Sequence, residues 1–251
     1  MGRLLSLVVN MEEKNCSMTP FLPAAELKKS YDIFGHFYTV AVSPDEVASC
    51  RSVLEIIDKR QTPGDVNIIC DRQPDAVFIM MNPGSSQPLV EVDNHIVADE
   101  ISKLPISLVP TKPDTTQYQV MRVMRYCGWR HVRVLNLSDL RSPKSPVFIK
   151  TFERLEATCG YDAHSIFAPA RQNELTKKLP KNRETPLVFA WGLSDKLSPL
   201  IARCLNAIPP QQNYTGLLAE GTADKYRHPL PTLQRDKETW FRNMIQLCEP
   251  A

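Results

Sequence analysis

An apolar run, Ala76-Val-Phe-Ile-Met-Met81, stops abruptly at Asn82-Pro-Gly-Ser-Ser86. Pro83 has no N–H and a fixed φ, and Gly84 tolerates positive φ, so the pair ends a strand. A strand with no polar face is buried on both sides, as in a parallel sheet. Ligands of such sheets collect outside the carboxyl ends of the strands. The segment therefore predicts a buried parallel strand that delivers Asn82 to the edge where a site forms. An ordinary strand-to-loop turn, in which Asn82 caps its own loop, is the competing reading.

The chain downstream supplies strands and helices in alternation. Gln117 to Trp129 places Tyr118, Met121, Met124 and Cys127 at three-residue steps and meets Gly128, which predicts an amphipathic helix whose Met stripe belongs to the core. His131 to Leu137 reads as a strand running into Ser138-Asp-Leu-Arg-Ser-Pro143, and Pro186 to Gly192 as a third strand with a glycine stop. A helix follows from Ser194 to about Leu205, then a strand over Tyr214 to Ala219, and a closing helix over Asp236 to Cys248. Upstream, Tyr31 to Tyr38 reads as a short strand or hairpin, and Val66 to Cys70 as another strand. Pro44 to Arg60 carries Val47, Val53, Leu54 and Ile57 near helical spacing behind a Ser43 cap, which predicts a helix. The alternation argues for a three-layer αβα fold around a central parallel four-stranded sheet. Residues 1–30 read as a peripheral arm and 31–251 as one α/β domain.

Composition narrows the chemistry. At 251 residues, 43% of them hydrophobic, the chain can bury a substantial core, and a formal charge of +2 carries no global signature for nucleic acid or membrane. The seven cysteines are scattered and never form Cys-x-x-Cys, which fits reduced thiols in a cytoplasmic protein. Five dispersed histidines give no metal-ligand spacing, and no cofactor motif is present. No apolar stretch has membrane-spanning length. Met1-Gly-Arg-Leu-Leu-Ser6 matches an N-myristoylation pattern, but Arg3 and a second methionine at Met11 favour coincidence. One local bias stands out: from Gln117 to Lys150 the chain holds Arg122, Arg125, Arg130, Arg133, Arg141, Lys144 and Lys150 against the single acid Asp139. Such a run suits phosphate contacts, while a solvated helix face is the alternative for Arg122 and Arg125.

A parallel sheet gathers its strand ends on one edge, here Asn82-Pro-Gly-Ser, Asn136 to Ser142, Trp191-Gly-Leu-Ser-Asp195 and the loop at His228-Pro-Leu-Pro231. Ser85, Ser86 and Ser138 have no His-Asp spacing that supports a hydrolase triad. The order Asn-Pro-Gly, strand-end Asn, Trp-Gly and late His-Pro resembles the motif order of the uracil-DNA glycosylase superfamily, closest in its first and last motifs to the single-strand-selective monofunctional branch. Over residues 75–247 the chain is more similar to a bacterial domain-of-unknown-function family, number 1643, which carries a similar Asn-Pro turn, an Asn-Leu-x-x-x-Arg segment, a Trp-Gly and a late His-Pro. The resemblance implies a uracil-DNA-glycosylase-like fold and a nucleic acid or nucleotide partner. It implies that Asn82 positions water, that His228 stabilises the departing base, and that Asn136 reads the base edge. Pro83, Gly84, Ser85, Asp139, Arg141 and Trp191 complete the implied substrate-binding set. Met80 stands where the glycosylase turn opens with Gly, and Leu230 where its last motif has Ser. These departures leave two further readings open: a non-catalytic nucleotide or modified-base sensor, and an interaction scaffold with a vestigial site.

Overall fold

The structure, a computed structural model, describes residues 20–248. The myristoylation-type pattern and the first part of the expected arm lie outside the described residues. The last residues of that arm form a short helix, α1 (Ala24–Ser30), which buries Leu27.

A long antiparallel hairpin follows, β1 (Tyr31–Ser43) and β2 (Glu46–Asp58), paired from Tyr31 opposite Asp58 to Ser43 opposite Glu46. The predicted helix over Pro44 to Arg60 is thus a strand. Pro44 and Asp45 form the turn, and β2 is buried almost continuously from Cys50 to Asp58. The helical spacing of Val47, Val53, Leu54 and Ile57 was a coincidence of a run that is apolar on both faces. The strand expected at Val66 to Cys70 is a 3-10 turn, Val66–Asp71, capped by the Asp65 side chain.

The sequence-predicted strand is β3 (Ala76–Met80), with every residue buried. Short strands β4 (Gln87–Pro88), β5 (His95–Val97) and β6 (Val109–Lys112) cover the outer side of β1, directly or through one another. Helix α2 (Thr115–Cys127) begins with a capping box between Asp114 and Gln117 and ends at Gly128, whose φ of 70° is the left-handed cap. It leads into β7 (His131–Asn136), then α3 (Ser145–Cys159) and α4 (Gln172–Lys178). Next come β8 (Leu187–Ala190), α5 (Ser198–Ala207), β9 (Tyr214–Thr215) and the closing α6 (Gln234–Cys248).

The protein is a mixed α/β fold built on one nine-stranded sheet, ordered β4-β6-β1-β2-β7-β3-β8-β9 with β5 beside β1. The pairs β7–β3, β3–β8 and β8–β9 are parallel. The expectation of a four-stranded parallel sheet describes only this part. The β1–β2 hairpin joins antiparallel at β7, through Leu54–Val134 and Ile57–His131, and extends the sheet well beyond it.

Side chains alternate across the strands, so the sheet splits the core in two. Phe78, Met80, Val132 and Val134 pack with Met121 and Met124 of α2 and with Trp240 and Phe241 of α6. Ile79, Leu135 and Phe189 pack with Phe148 and Phe152 of α3 and with Leu200 and Ile201 of α5. Helices therefore cover both faces of the parallel strands, whose ends are left open. No helix among the described residues is long and apolar enough to cross a membrane.

Candidate functional site

The carboxyl ends of β3, β7 and β8 open into a cleft of about 630 Å³. That volume is in the range of small-molecule sites, roughly 300–1,000 Å³. Its floor is Leu54, Met80 and Val134, and its walls include the first turns of α2 and α3 and the loop after β8.

Parallel pairing continues past the strand ends. The N–H of Leu137 donates to Met80 O at 2.7 Å and that of Ser138 to Met81 O at 3.3 Å, which holds the Asn82 turn beside the segment after β7. On its other side that segment is tied to β2, by Arg51 N–H to Asp139 O and Arg141 N–H to Ser49 O, both at 2.9 Å. Gly84, with φ 62°, makes the turn possible.

Asn82 uses both amide hydrogens on this scaffold, donating through Nδ2 to Leu140 O at 3.2 Å and to Ser142 O at 2.8 Å. Its carbonyl Oδ1 is left as the accepting group of the side chain. The Asn136 amide fits its surroundings in one orientation, with nitrogen donating to Asn82 O at 3.3 Å and oxygen accepting from Arg51 Nη2 at 3.0 Å. The residue implied to read a base edge thus has both ends of its amide engaged by the protein.

His228 reaches the cleft on the loop between β9 and α6. Gln119 holds that loop to α2, its Nε2 donating to Pro229 O at 2.9 Å and to Lys237 O at 3.0 Å. The N–H of Leu230 donates to His228 Nδ1 at 3.2 Å. A ring nitrogen that accepts from an amide carries no proton, so the neutral ring bears its hydrogen on Nε2. Burial lowers the His228 pKa to about 4, which keeps the ring neutral at physiological pH.

Asn82, Pro83, Gly84, Ser85, Asn136, Trp191 and His228 all line this one cleft. Of these, Trp191 is fully buried, stacked on Phe189 at 4.5 Å, edge-on to Tyr226, with Nε1 donating to Asp224 O. It is a core residue that reaches the cleft as part of its wall.

Asp139 and Arg141, expected to bind substrate, are outside the lining. Asp139 is fully buried, its Oδ2 accepting from Arg171 Nη1 at 2.6 Å and from the Tyr38 hydroxyl at 2.9 Å. Arg141 is half-buried over the Phe37 ring and donates through Nε to Ser86 O at 2.9 Å, bracing the Asn82 turn from behind.

The basic run is only partly on the surface. Arg133 is fully buried against Glu55, and Arg122 is buried with its guanidinium 3.8 Å from the centre of the Phe21 ring. Arg125, Arg130, Lys144 and Lys150 remain exposed. Helical and strand periodicity had given no partner for these charges, so their burial was invisible in the sequence.

Two features escaped the sequence reading. Ser138, His164 and Glu156 form a relay, with Ser138 Oγ 2.9 Å from His164 Nδ1 and His164 Nε2 3.0 Å from Glu156 Oε1. Ser138 and His164 have no solvent exposure, and Ser138 Oγ accepts the Leu140 N–H, so the chain of bonds braces the post-β7 segment rather than attacking a substrate. The second is Arg51, which lines the cleft although it is only 2% exposed. The turn-forming Pro44-Asp45 between two apolar runs was the signal for a β1–β2 hairpin, and a hairpin would have placed Arg51 beside β7.

Among the described residues no group of three or more His, Cys, Asp or Glu is arranged to hold a metal ion. No protein-family model, curated protein or solved structure matches this chain.

Proposed function

We propose that the cleft binds a nucleobase-bearing ligand and hydrolyses its N-glycosidic bond, in a protein of the uracil-DNA-glycosylase-like kind. The observation that carries this reading is the pairing of Asn82 and His228 on one cleft. Asn82 is an amide whose N–H groups are fully committed, so it presents an acceptor, and an acceptor orients a water by taking one of its hydrogens. His228 is a neutral imidazole with a donor at Nε2, suited to the oxygen of a base that leaves with extra negative charge.

In the reaction, water forms a bond to the anomeric carbon as the carbon–nitrogen bond breaks. The base departs with the bonding electron pair, and the proton released by water balances it. His228 stabilises that charge through a hydrogen bond and need not transfer its proton. The apolar floor of Met80 and Leu54 receives the flat base by contact rather than by aromatic stacking.

One observation favours a binding-only role for the same cleft: Met80 and Leu230 line it where the glycosylase motifs have Gly and Ser.

The test is single-turnover base release from nucleosides, mononucleotides and single- and double-stranded oligonucleotides carrying uracil and damaged bases, for wild type and Asn82→Ala. Release by wild type that falls by at least about 100-fold in the variant supports hydrolysis, in line with loss of a group that acts in the transition state. Binding without release by a folded wild-type protein assigns the binding-only role.

A further inference from the structure

Arg51 is a buried charge that no carboxylate of the described residues contacts, although Asp114 and Asp139 act on it from a distance. Arg133 and Arg171 are as deeply buried, and each meets a carboxylate, Glu55 for the first and Asp139 with Glu174 for the second. Arg51 makes no ion pair within 4.0 Å among the described residues. Its Nε has no hydrogen-bond partner, and Nη2 meets only the neutral carbonyl of Asn136. Burial lowers its pKa to about 10, which still leaves it cationic at neutral pH. A buried cation without a counter-ion in contact is costly, and an incoming anion would offset that cost.

The surroundings in the cleft favour an anion. Asp114 is the one acid in the lining; its carboxylate caps α2 through the N–H of Gln117 at 3.0 Å and acts on Arg51 without touching it, so an anion bound to Arg51 must outcompete that influence. Ser145 and Pro146 bring the start of the fifteen-residue α3 to the cleft wall; Pro146 has no N–H, and those of Val147 and Phe148 both donate to Lys144 O at 3.0 Å. The positive end of the α3 dipole adds to the potential of Arg51.

We propose that Arg51 is the principal ligand-binding residue of this cleft and that it takes an anionic phosphate oxygen, so that the ligand is a mononucleotide rather than a neutral nucleoside. The nucleotide half of this assignment rests on the nucleobase reading above; the anion half stands without it. The cleft of about 630 Å³ has room for base, sugar and one phosphate.

The experiment is calorimetric titration of the full chain with inorganic phosphate, a nucleoside 5′-monophosphate series and the parent nucleosides, using wild type, Arg51→Lys and Arg51→Gln. Wild type is expected to bind a monophosphate at least about 30-fold more tightly than its nucleoside, a difference of about 2 kcal/mol. Arg51→Lys should retain part of that preference, and Arg51→Gln should reduce it below about 3-fold. Equal affinity of wild type for nucleotide and nucleoside overturns the anion site, and that comparison needs no variant to fold. Inorganic phosphate binding as tightly as the nucleotide overturns the mononucleotide assignment and leaves the anion site. Phosphate binding with no response to any nucleoside or nucleotide likewise keeps Arg51 as an anion receptor and removes the nucleobase reading.

Discussion

Glu55 Oε1 and Arg133 Nε meet at 2.7 Å across β2 and β7, and neither side chain has any solvent exposure. His131 Nε2 takes the other carboxylate oxygen at 2.8 Å, while the guanidinium also donates to Lys178 O and Cys70 O at 3.0 Å. This network sits at the junction of the hairpin and the parallel strands. An arginine that the basic run offered for phosphate contact is thereby a structural rivet.

Replacing Glu55 by Ala leaves a buried guanidinium without its counter-charge and is expected to cost about 3–5 kcal/mol. Denaturant unfolding checks it. Burial raises the Glu55 pKa, but Arg133 and His131 outweigh it and hold the carboxyl below its ordinary 4.5. A depressed acid stabilises the fold above its unfolded pKa, so this contribution is lost as pH falls below 4.5. The pH dependence should flatten in that acid range in Glu55→Ala.

His228 gives a second pH signature. Between its ordinary value of 6.5 and the folded value of about 4, the unfolded chain takes up a proton that the folded chain refuses. Stability from this residue is therefore complete above 6.5 and declines as pH falls towards about 4; His36, also lowered by burial to about 4, adds in the same sense. In His228→Gln the slope over that window should be shallower. Under the proposed hydrolysis, in which the neutral ring acts, base release should be level from about pH 8 to 5 and should not follow an ordinary histidine titration. A midpoint near 6.5 in the rate profile would reject the neutral-donor role.

Asp139 separates structural from ligand-binding roles. Its removal leaves Glu174 as the counter-charge of Arg171 and takes the acceptor from the Tyr38 hydroxyl, so Asp139→Ala is expected to lose about 2–3 kcal/mol of stability. Nucleotide affinity of the folded variant should change by less than about 3-fold, because the carboxylate is not in the cleft lining. A tenfold loss would restore Asp139 to the binding set.

Ser138 offers a control for the buried relay. Ser138→Ala removes the bonds to His164 and to the Leu140 N–H and should cost about 1–2 kcal/mol. Base release should persist, since Ser138 has no access to a ligand. Abolished release with native-like stability would show a serine mechanism instead.

Local pattern determined a good part of this protein. The apolar run of β3, the Asn-Pro-Gly turn that ends it, the Met-striped α2 with its glycine stop, and the strands β7 and β8 were all legible, because each is set by periodicity and by residues with special backbone freedom. Their parallel pairing follows from the alternation of strand and helix, and it brought Asn82, Asn136 and His228 to one edge. The tertiary structure decided what pairing partners decide. Glu46–Asp58 has helical and strand-like spacing at once, and only hydrogen bonding to β1 and β7 makes it a strand. The same pairing buries Arg133 and Arg51 but supplies a carboxylate to one and none to the other. Charge in a sequence is a property of one residue; whether it is cancelled depends on which distant residue lies beside it, and no local period records that.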